Sequence, residues 1–305
     1  MKNILITGSN GLVGSKLIQL LTSQYTDQYT TIATGRGANR LPTTQGYTYH
    51  SLDSTDIEGY TQLFTQYHPI DTVIHTAAYT QVDAAEIDKQ ECYQANVVAV
   101  EILANLCKTH GTHLVYLSTD FVFDGKKQAI YDEKDTPNPL SYYAETKYQA
   151  EQKIQQIAPS YSIARTIIVY GYEAHLSRSN IILWIKKSLE EKKSIQVVND
   201  QYRTPTLAED VAAGSLLLAI HKSQGIYNIA GDELLNMYDL AIKVANFWNL
   251  DTSLITPTTS DIFLQPAKRP LYTGLCIKKA IQELHYQPRS IEEAFGILDK
   301  QIGRK

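Results

Sequence analysis

At 305 residues, the chain is long enough for a large buried core, and its length suggests about two domains. Its 43% hydrophobic and 20% charged residues are typical of a soluble globular protein. The formal net charge is −4, and lysine and arginine are scattered along the chain, which gives no electrostatic footprint for nucleic acid or an anionic membrane. We therefore expect no nucleic-acid partner and no membrane partner.

From the N-terminal segment and the cysteines we expect a cytoplasmic protein. The apolar run in "MKNILITGSNG" is too short for a signal peptide or a spanning helix, and no later segment reaches membrane length. Cys92, Cys107 and Cys276 are widely spaced and lack nearby paired histidines. This pattern argues against a zinc site or a disulfide framework and favours free thiols in a reducing cytoplasm.

Short β-branched runs alternate with longer helical patterns through the first half of the chain. Strands are predicted over residues 2–7, 30–34, 47–52, 71–76 and 113–119, and helices over residues 11–24 and 83–109, with Gly111 as a C-cap. Alternation of this kind predicts an α/β fold, a Rossmann-type doubly wound parallel sheet with helices on both faces.

The second half is less regular. It predicts a surface loop over 120–140, a helix from Ser141 to about residue 157, a strand over 161–171, a helix near 178–192, a strand over 194–198, a loop over 199–206, a helix near 208–221, a strand over 225–230 and a loop-rich segment over 256–270. We assign residues 1–166 and 206–230 to the Rossmann domain. Residues 167–205 and 231–305 are assigned to a smaller, interleaved C-terminal lobe that binds substrate.

The stretch "ITGSNGLVG" places Gly8, Gly11 and Gly14 in a GxxGxxG spacing between a predicted strand and a predicted helix. Such glycines permit a tight turn, a close approach of the backbone to a pyrophosphate and close packing of helix on strand. The start of the helix then offers unpaired N–H groups and a partial positive charge to the phosphates. The spacing and its context predict a dinucleotide cofactor.

The end of the second strand, "ATGRGANR", indicates which dinucleotide is bound. A cofactor with free ribose hydroxyls favours an acidic residue there, and this segment has none. Arg36, with Arg40 nearby, is placed to meet a 2′-phosphate, or is a solvated loop arginine. We expect NADP, with NAD as the alternative. Asp53, after the third strand, either bonds the adenine or caps the next helix, as Ser54 or Asp56 could also do.

In "SYYAETK", Tyr143 and Lys147 form an i, i+4 pair if Ser141 starts a helix, whereas Tyr142 has a different partner. A phenol ordinarily titrates near pH 10, and a nearby ammonium in a sheltered cleft favours the phenolate. The motif by itself also fits an ordinary surface pair. Upstream, "YLSTDFVFDG" ends a strand at Ser118 and Thr119, where a hydroxyl can hold a carbonyl oxygen while Tyr143 donates its proton.

These motifs together resemble an extended short-chain dehydrogenase/reductase. More narrowly, "AAYTQVDAAE", "STDFVFDG", "YAETKYQAE", "NDQYRTPT" and "KRP" are similar to segments of dTDP-4-dehydrorhamnose reductases and related sugar-nucleotide reductases, over most of the chain. The resemblance implies that NADPH reduces the 4-keto group of a nucleotide-linked 4-keto-6-deoxy sugar.

The same resemblance implies roles for individual residues. The implied catalytic residues are Thr119, Tyr143 and Lys147. The implied cofactor-binding residues are Gly8, Asn10, Gly11, Leu12, Val13, Gly14, Arg36, Asp53, Ser54, Ala77, Ala78, Tyr79, Thr80, Tyr143 and Lys147. The implied substrate-binding residues are Val82, Asp83, Thr119, Asp120, Ile168 and Arg203, with Asp120 either binding a sugar hydroxyl or capping its loop.

Four positions depart from the pattern of the family. Phe121 stands where the related 4,6-dehydratases carry a glutamate, which counts against a dehydratase. Ile168 replaces a tryptophan that stacks on the substrate, and Arg203 replaces a small residue and could read a phosphate or a carboxylate. Lys16 stands where some members have a glutamate linked to magnesium-mediated dimerisation, so we expect no metal, while a homodimer stays open.

Two other functions fit the sequence. The family includes the beta subunit of methionine adenosyltransferase, so a non-catalytic NADP-binding regulatory subunit is one alternative. A reductase or epimerase of a small carbonyl compound without a nucleotide is the other. The presence of Thr119, Tyr143 and Lys147 together favours an enzyme.

Overall fold

The computed structural model describes residues 1–42, 44–176 and 180–303. Its centre is a seven-stranded parallel sheet, in the spatial order β11-β6-β5-β4-β1-β2-β3. The strands of this sheet are β1 (Lys2–Thr7), β2 (Tyr29–Gly35), β3 (Tyr47–Ser51), β4 (Thr72–His75), β5 (His113–Thr119), β6 (Tyr161–Thr166) and β11 (Gly225–Asn228). The predicted Rossmann-type sheet is confirmed, including the late strand that returns to its edge.

The chain reverses its direction of progress across the sheet between β1 and β4. Strands β2 and β3 extend the sheet on one side of β1, whereas β4, β5, β6 and β11 extend it on the other. A crevice opens beyond the carboxyl ends of the strands at such a reversal. The glycine loop follows β1 and the segment Thr76–Ala78 follows β4, so both lie at this crevice.

Helices cover both faces of the sheet because each face is apolar. Helices α1 (Leu12–Gln24), α7 (Ala208–His221) and α9 (Lys278–Leu284) share one hydrophobic core with the sheet. Helices α2 (Ile57–Gln66), α4 (Ala99–His110) and α5 (Tyr142–Ile157) share the other. Gly111, with φ of 68°, caps the end of α4 as predicted.

A third hydrophobic core belongs to the remaining part of the chain. It is formed chiefly by α6 (Ile181–Glu190), α8 (Met237–Phe247), α10 (Ile291–Ile302), β8 (Ile195–Val198) and β13 (Ile255–Thr258), the last two of which pair in parallel. Further short elements are α3 (Lys89–Tyr93), β7 (Val169–Tyr170), β9 (Tyr202–Arg203), β10 (Thr206–Leu207) and β12 (Leu235–Asn236).

Three predicted elements differ from the structure. The helical pattern over 83–109 is interrupted by a 3₁₀ turn (Ala84–Glu86) and a π-helical turn (Gln94–Val98). The predicted strand over 161–171 ends at Thr166 and resumes as β7, because Ile168 has a φ of 39°. The predicted loop over 199–206 contains β9 and β10, which pair with the distant strands β12 and β7. Residues 178 and 179 of the predicted helix near 178–192 lie outside the described residues.

Candidate active site

A cavity of about 1200 Å³ lies at the carboxyl ends of the parallel strands. Within the described part of the chain, every predicted site residue lines it except Asp83 and Arg203. The glycine loop, Arg36, Asp53 and Ser54 stand on one side of the strand-order reversal, whereas Thr119, Tyr143 and Lys147 come from β5 and α5 on the other. The cavity thus joins the two groups of residues.

The glycine loop is packed too closely to accept side chains. Gly8 has a φ of 71°, and a Cβ there would lie 2.6 Å from the backbone nitrogen of Ala77. A Cβ on Gly14 would lie 2.4 Å from the carbonyl oxygen of Gly8. Gly11 is the N-cap of α1 and has no side chain with which to occupy the first N–H groups of the helix. The loop therefore fits a pyrophosphate, since those groups and the positive end of the helix face the cavity.

Asn10 joins the glycine loop to the arginine segment. Its side-chain amide donates to the carbonyl oxygen of Ala38 (3.0 Å) and accepts from the backbone N–H of Arg40 (3.0 Å). The Arg36 side chain is 76% exposed and has only distant acidic neighbours, with Nε 4.0 Å from the Asp53 carboxylate. Its guanidinium is therefore open to a ligand phosphate.

The alternative role of Asp53 as a helix cap belongs instead to Asp56. The Asp56 carboxylate accepts from the backbone N–H of Gly59 (2.9 Å) at the start of α2. The Asp53 carboxylate accepts from Thr55, through its backbone N–H and its hydroxyl, and lines the cavity. Asp53 is thus placed beside the cofactor end of the cavity.

Helix α5 begins as predicted, because the Ser141 hydroxyl accepts from the backbone N–H of Ala144. One turn separates Tyr143 from Lys147, and both side chains are buried and line the cavity. Tyr142 lies outside the cavity lining, and its backbone N–H donates to the Glu86 carboxylate (2.8 Å). The helix therefore distinguishes the two adjacent tyrosines.

Lys147 is held by main chain and by an aromatic ring. Its Nζ donates to the carbonyl oxygen of Leu117 (2.7 Å) and lies 4.2 Å from the centre of the Tyr116 ring. Burial lowers the pKa of Lys147 to about 7, against the attraction of the Glu151 carboxylate, which raises it. Lys147 therefore loses its proton more readily than an exposed lysine does.

The two hydroxyls at the end of β5 have different partners. Ser118 Oγ donates to Glu151 (2.5 Å), whose carboxylate also accepts two bonds from the buried Arg165 (3.0 and 2.6 Å). Thr119 Oγ1 bonds Asp120 Oδ1 (3.1 Å) and accepts from the backbone N–H of Phe121 (3.2 Å). Thr119 Oγ1 has the longer bond to its carboxylate, 3.1 Å against 2.5 Å for Ser118 Oγ, so Thr119 is the better placed of the two to meet a substrate.

Asp83 and Arg203 are not part of the cavity lining, and both bind other parts of the protein. The Asp83 carboxylate binds the Arg269 guanidinium through both oxygens (3.0 and 2.6 Å), which links the segment after β4 to the "KRP" segment. Arg203 is 1% exposed and donates to the carbonyl oxygens of Tyr202, Pro270 and Leu271. Arg203 is therefore not placed to bind a substrate phosphate or carboxylate directly.

The structure adds residues that line or support the cavity and that the sequence patterns did not indicate. Within the π-helical turn, the Asn96 side chain bonds both the N–H (2.8 Å) and the carbonyl oxygen (3.1 Å) of Tyr79, a cavity residue. Residues after β7 add further side chains to the lining, namely Tyr172, Glu173, Leu176, Asn180, Ile181 and Leu183. These depend on contacts between distant segments, so no local pattern marks them.

Lys16 is an internal ion-pair partner. Its Nζ lies 2.8 Å from the Glu173 carboxylate and 3.0 Å from that of Glu209. Among the described residues, no group of three or more histidine, cysteine, aspartate or glutamate side chains could hold a metal ion. None of the described helices is long and apolar enough to cross a membrane, and Cys92, Cys107 and Cys276 are free thiols.

A parallel sheet of this order, a glycine loop at its reversal, a threonine at the end of β5, and a tyrosine and a lysine one turn apart on α5 define an extended short-chain dehydrogenase/reductase. Within that class, the family model "RmlD substrate binding domain" matches residues 1–301. The chain belongs to this family.

Individual relatives and a solved structure are similar to this chain over most of its length. The dTDP-4-dehydrorhamnose reductase of Aggregatibacter actinomycetemcomitans is 28% identical over 305 residues, which cover 96% of this chain and 97% of the relative. A crystal structure of dTDP-4-dehydrorhamnose reductase from Bacillus anthracis, in complex with NADP, superposes with a TM-score of 0.85 at 26% identity and covers 99% of this chain and 100% of the other. The zebrafish (Danio rerio) methionine adenosyltransferase 2 subunit beta is 28% identical over 274 residues, 88% of this chain and 81% of the relative.

Proposed function

We propose that the protein is an NADPH-dependent reductase of the 4-keto group of a nucleotide-linked 4-keto-6-deoxy sugar. One observation supports this most strongly: Thr119, Tyr143 and Lys147 line the same cavity as the glycine loop. The names of relatives, which include a dTDP-4-dehydrorhamnose reductase, support the substrate class. The open Arg36 guanidinium supports NADPH over NADH, as does the NADP complex of the Bacillus anthracis relative.

In the proposed reaction, the glycine loop and Arg36 would hold NADPH, which would supply a hydride for the carbonyl carbon. Tyr143 donates its phenolic proton to the carbonyl oxygen, so the two electrons of the hydride and this proton together convert the ketone to an alcohol. The Thr119 hydroxyl hydrogen-bonds the same oxygen and directs it towards Tyr143. Lys147, when charged, stabilises the phenolate that forms on Tyr143.

The chain's partners follow from this proposal. We propose that the substrate is a nucleotide sugar. We also propose the predicted division of the chain, in which a Rossmann domain binds NADP and a smaller lobe binds this substrate. The lobe contributes the aliphatic side chains of Ile168, Leu176 and Ile181 to the cavity, and Ile168 stands where the family pattern has a tryptophan. An apolar wall suits a deoxygenated sugar carbon.

The test measures NADPH oxidation with a panel of nucleotide-linked 4-keto-6-deoxy sugars, alongside calorimetric titration with dTDP. Turnover of one panel member together with dTDP binding is the expected result. Turnover of a small ketone without dTDP binding would replace the sugar-nucleotide substrate with the smaller one. NADPH binding without any turnover would favour the regulatory role of the methionine adenosyltransferase beta subunit, a relative of this chain.

A further inference from the structure

Asp120 is buried beside the cavity, and its two oxygens have different partners. The side chain is 3% exposed, although it belongs to the cavity lining. Its Oδ1 lies 3.1 Å from Thr119 Oγ1. Its Oδ2 accepts from the Thr273 hydroxyl (2.5 Å) and lies 3.7 Å from Nε of Arg203. One oxygen thus faces the predicted catalytic threonine, while the other is fixed by residues far along the chain.

The single hydrogen of the Thr119 hydroxyl can serve only one acceptor. Thr119 Oγ1 already accepts from the backbone N–H of Phe121 (3.2 Å). If Asp120 is a carboxylate, it can only accept, so the Thr119 hydrogen points at Oδ1 and is unavailable to a substrate. If Oδ1 carries a proton, Asp120 donates to Thr119 Oγ1, and the Thr119 hydrogen turns towards the cavity.

We propose that Asp120 works as a carboxylic acid that donates to Thr119, so that Thr119 can donate to the carbonyl oxygen of the substrate. Arg203 and Thr273 are positioning residues that hold Oδ2 and leave Oδ1 as the protonated oxygen. The inference rests on the proposed carbonyl reduction. No net proton leaves Asp120, because Tyr143 supplies the proton that forms the alcohol.

Burial and charge around Asp120 agree with this arrangement. Burial raises the pKa of Asp120 to about 6, although the Arg203 guanidinium and the Thr273 and Thr119 hydroxyls lower it. Arg203 donates its Nη hydrogens to main-chain carbonyls, and these bonds fix the position of the guanidinium. From that position, its positive charge favours the carboxylate form of Asp120 and opposes the effect of burial.

The other ionisable groups around Asp120 come from three elements. Helix α5, which packs on the turn containing Asp120, contributes Tyr143 and Lys147 to the same cavity. Asp200, just before Arg203 in the chain, and Arg269, in the distant "KRP" segment, act on the charge of Arg203. The Asp120 acid form therefore depends on burial, with Arg203 as the principal opposing charge.

The test compares kcat/KM at pH 6 and pH 8 in the wild type and in Asp120→Asn. The asparagine amide can donate to Thr119 and accept from Thr273 at every pH, as the protonated acid does. The acid fraction of a group with a pKa of about 6 falls about 50-fold between these pH values. The ratio of kcat/KM at pH 6 to that at pH 8 is therefore expected to be about 50-fold smaller in the variant. An equal ratio, with the variant weakened at both pH values, would show that the carboxylate binds the sugar directly and would overturn the inference.

A second pair of variants tests the positioning role. Thr273→Val removes the bond to Oδ2 and is expected to shift the alkaline limb of the wild-type profile to higher pH, because that bond favours the carboxylate. Thr273→Ser keeps the hydroxyl and is expected to restore the wild-type profile. A profile that is unchanged in Thr273→Val would overturn the positioning role.

Carbon-13 NMR of the carboxyl groups separates this inference from the proposed function, because it needs no substrate. In the NADP⁺ complex, the signal missing from Asp120→Asn is expected to titrate near pH 6. Titration near pH 4 would overturn the inference while leaving a reductase in place. Titration near pH 6 without turnover of any carbonyl would instead refute the proposed function.

Discussion

Lys147 allows a test of whether a predicted catalytic residue lowers the stability of the folded protein. Its ammonium is buried, and burial lowers its pKa from 10.5 to about 7. Methionine has a similar length and no charge, so Lys147→Met removes the burden of burying the ammonium while filling the same space. At pH 7, the variant is expected to be at least as stable as the wild type and to have lost most of its turnover.

The size of the expected stability difference between wild type and Lys147→Met follows from proton linkage. The folded-state pKa lies below the unfolded value, so the unfolded chain binds more protons between pH 7 and 10.5, and wild-type stability rises with pH in that window. Three pH units correspond to a ceiling of about 4 kcal/mol between pH 7 and pH 10. The contact with the Tyr116 ring favours the ammonium by about 1–2 kcal/mol. The rise in wild-type stability from pH 7 to pH 10, measured relative to Lys147→Met, is therefore expected to be about 2–3 kcal/mol.

The assay is urea unfolding at pH 7 and pH 10 for the wild type and Lys147→Met, compared as a difference so that other titrating groups cancel. Lys187→Met is the matched control, because Lys187 is 77% exposed and its substitution is expected to change stability by less than about 0.5 kcal/mol at both pH values. A difference between wild type and Lys147→Met that does not change from pH 7 to pH 10 would refute the reasoning. In that case, Lys147 keeps its charge throughout.

Three further substitutions test other parts of the account. Gly14→Ala is expected to lower the free energy of unfolding in urea by about 1–3 kcal/mol and to weaken NADPH binding, because its Cβ would meet Gly8. Gly296→Ala is the control, because Gly296 has open space around it on α10, and it is expected to be neutral or slightly stabilising. Arg36→Ala is expected to weaken NADPH about tenfold in a fluorescence titration and NADH less than twofold, and equal effects would place the 2′-phosphate elsewhere. Burial lowers the pKa of His75 to about 3, so wild-type stability is expected to fall as pH drops from 6.5 towards 3, and circular dichroism should show a shallower decline for His75→Gln.

The sheet was predictable from sequence because its signals are local. Each central strand is a short β-branched run, and GxxGxxG marks the turn from β1 into α1. The breaks in the long helical pattern were not predictable, because the π-helical turn serves Asn96, whose partners Tyr79 and Thr146 are 17 and 50 residues away. Strands β9 and β10 were missed for the same reason, since their pairing partners are distant in sequence.

The candidate site was predictable where residue spacing fixes geometry. The interval of four residues places Tyr143 and Lys147 on one helix face, and both line the cavity. The role of Arg203 was not predictable from spacing, because nothing in "NDQYRTPT" reveals that the carbonyl oxygens of Pro270 and Leu271 accept from its guanidinium. Lys16 is similar, since its ion pairs with Glu173 and Glu209 need contacts across about 160 to 190 residues.

The most direct test of the account compares Tyr143→Phe with Tyr142→Phe in NADPH oxidation with a reducible nucleotide-linked 4-keto-6-deoxy sugar. The two tyrosines are neighbours on α5, but only Tyr143 is part of the described cavity lining. Tyr143→Phe is expected to bind NADPH normally and to lose nearly all turnover, whereas Tyr142→Phe is expected to lose far less. Full turnover in Tyr143→Phe would contradict the assignment of Tyr143 as the proton donor.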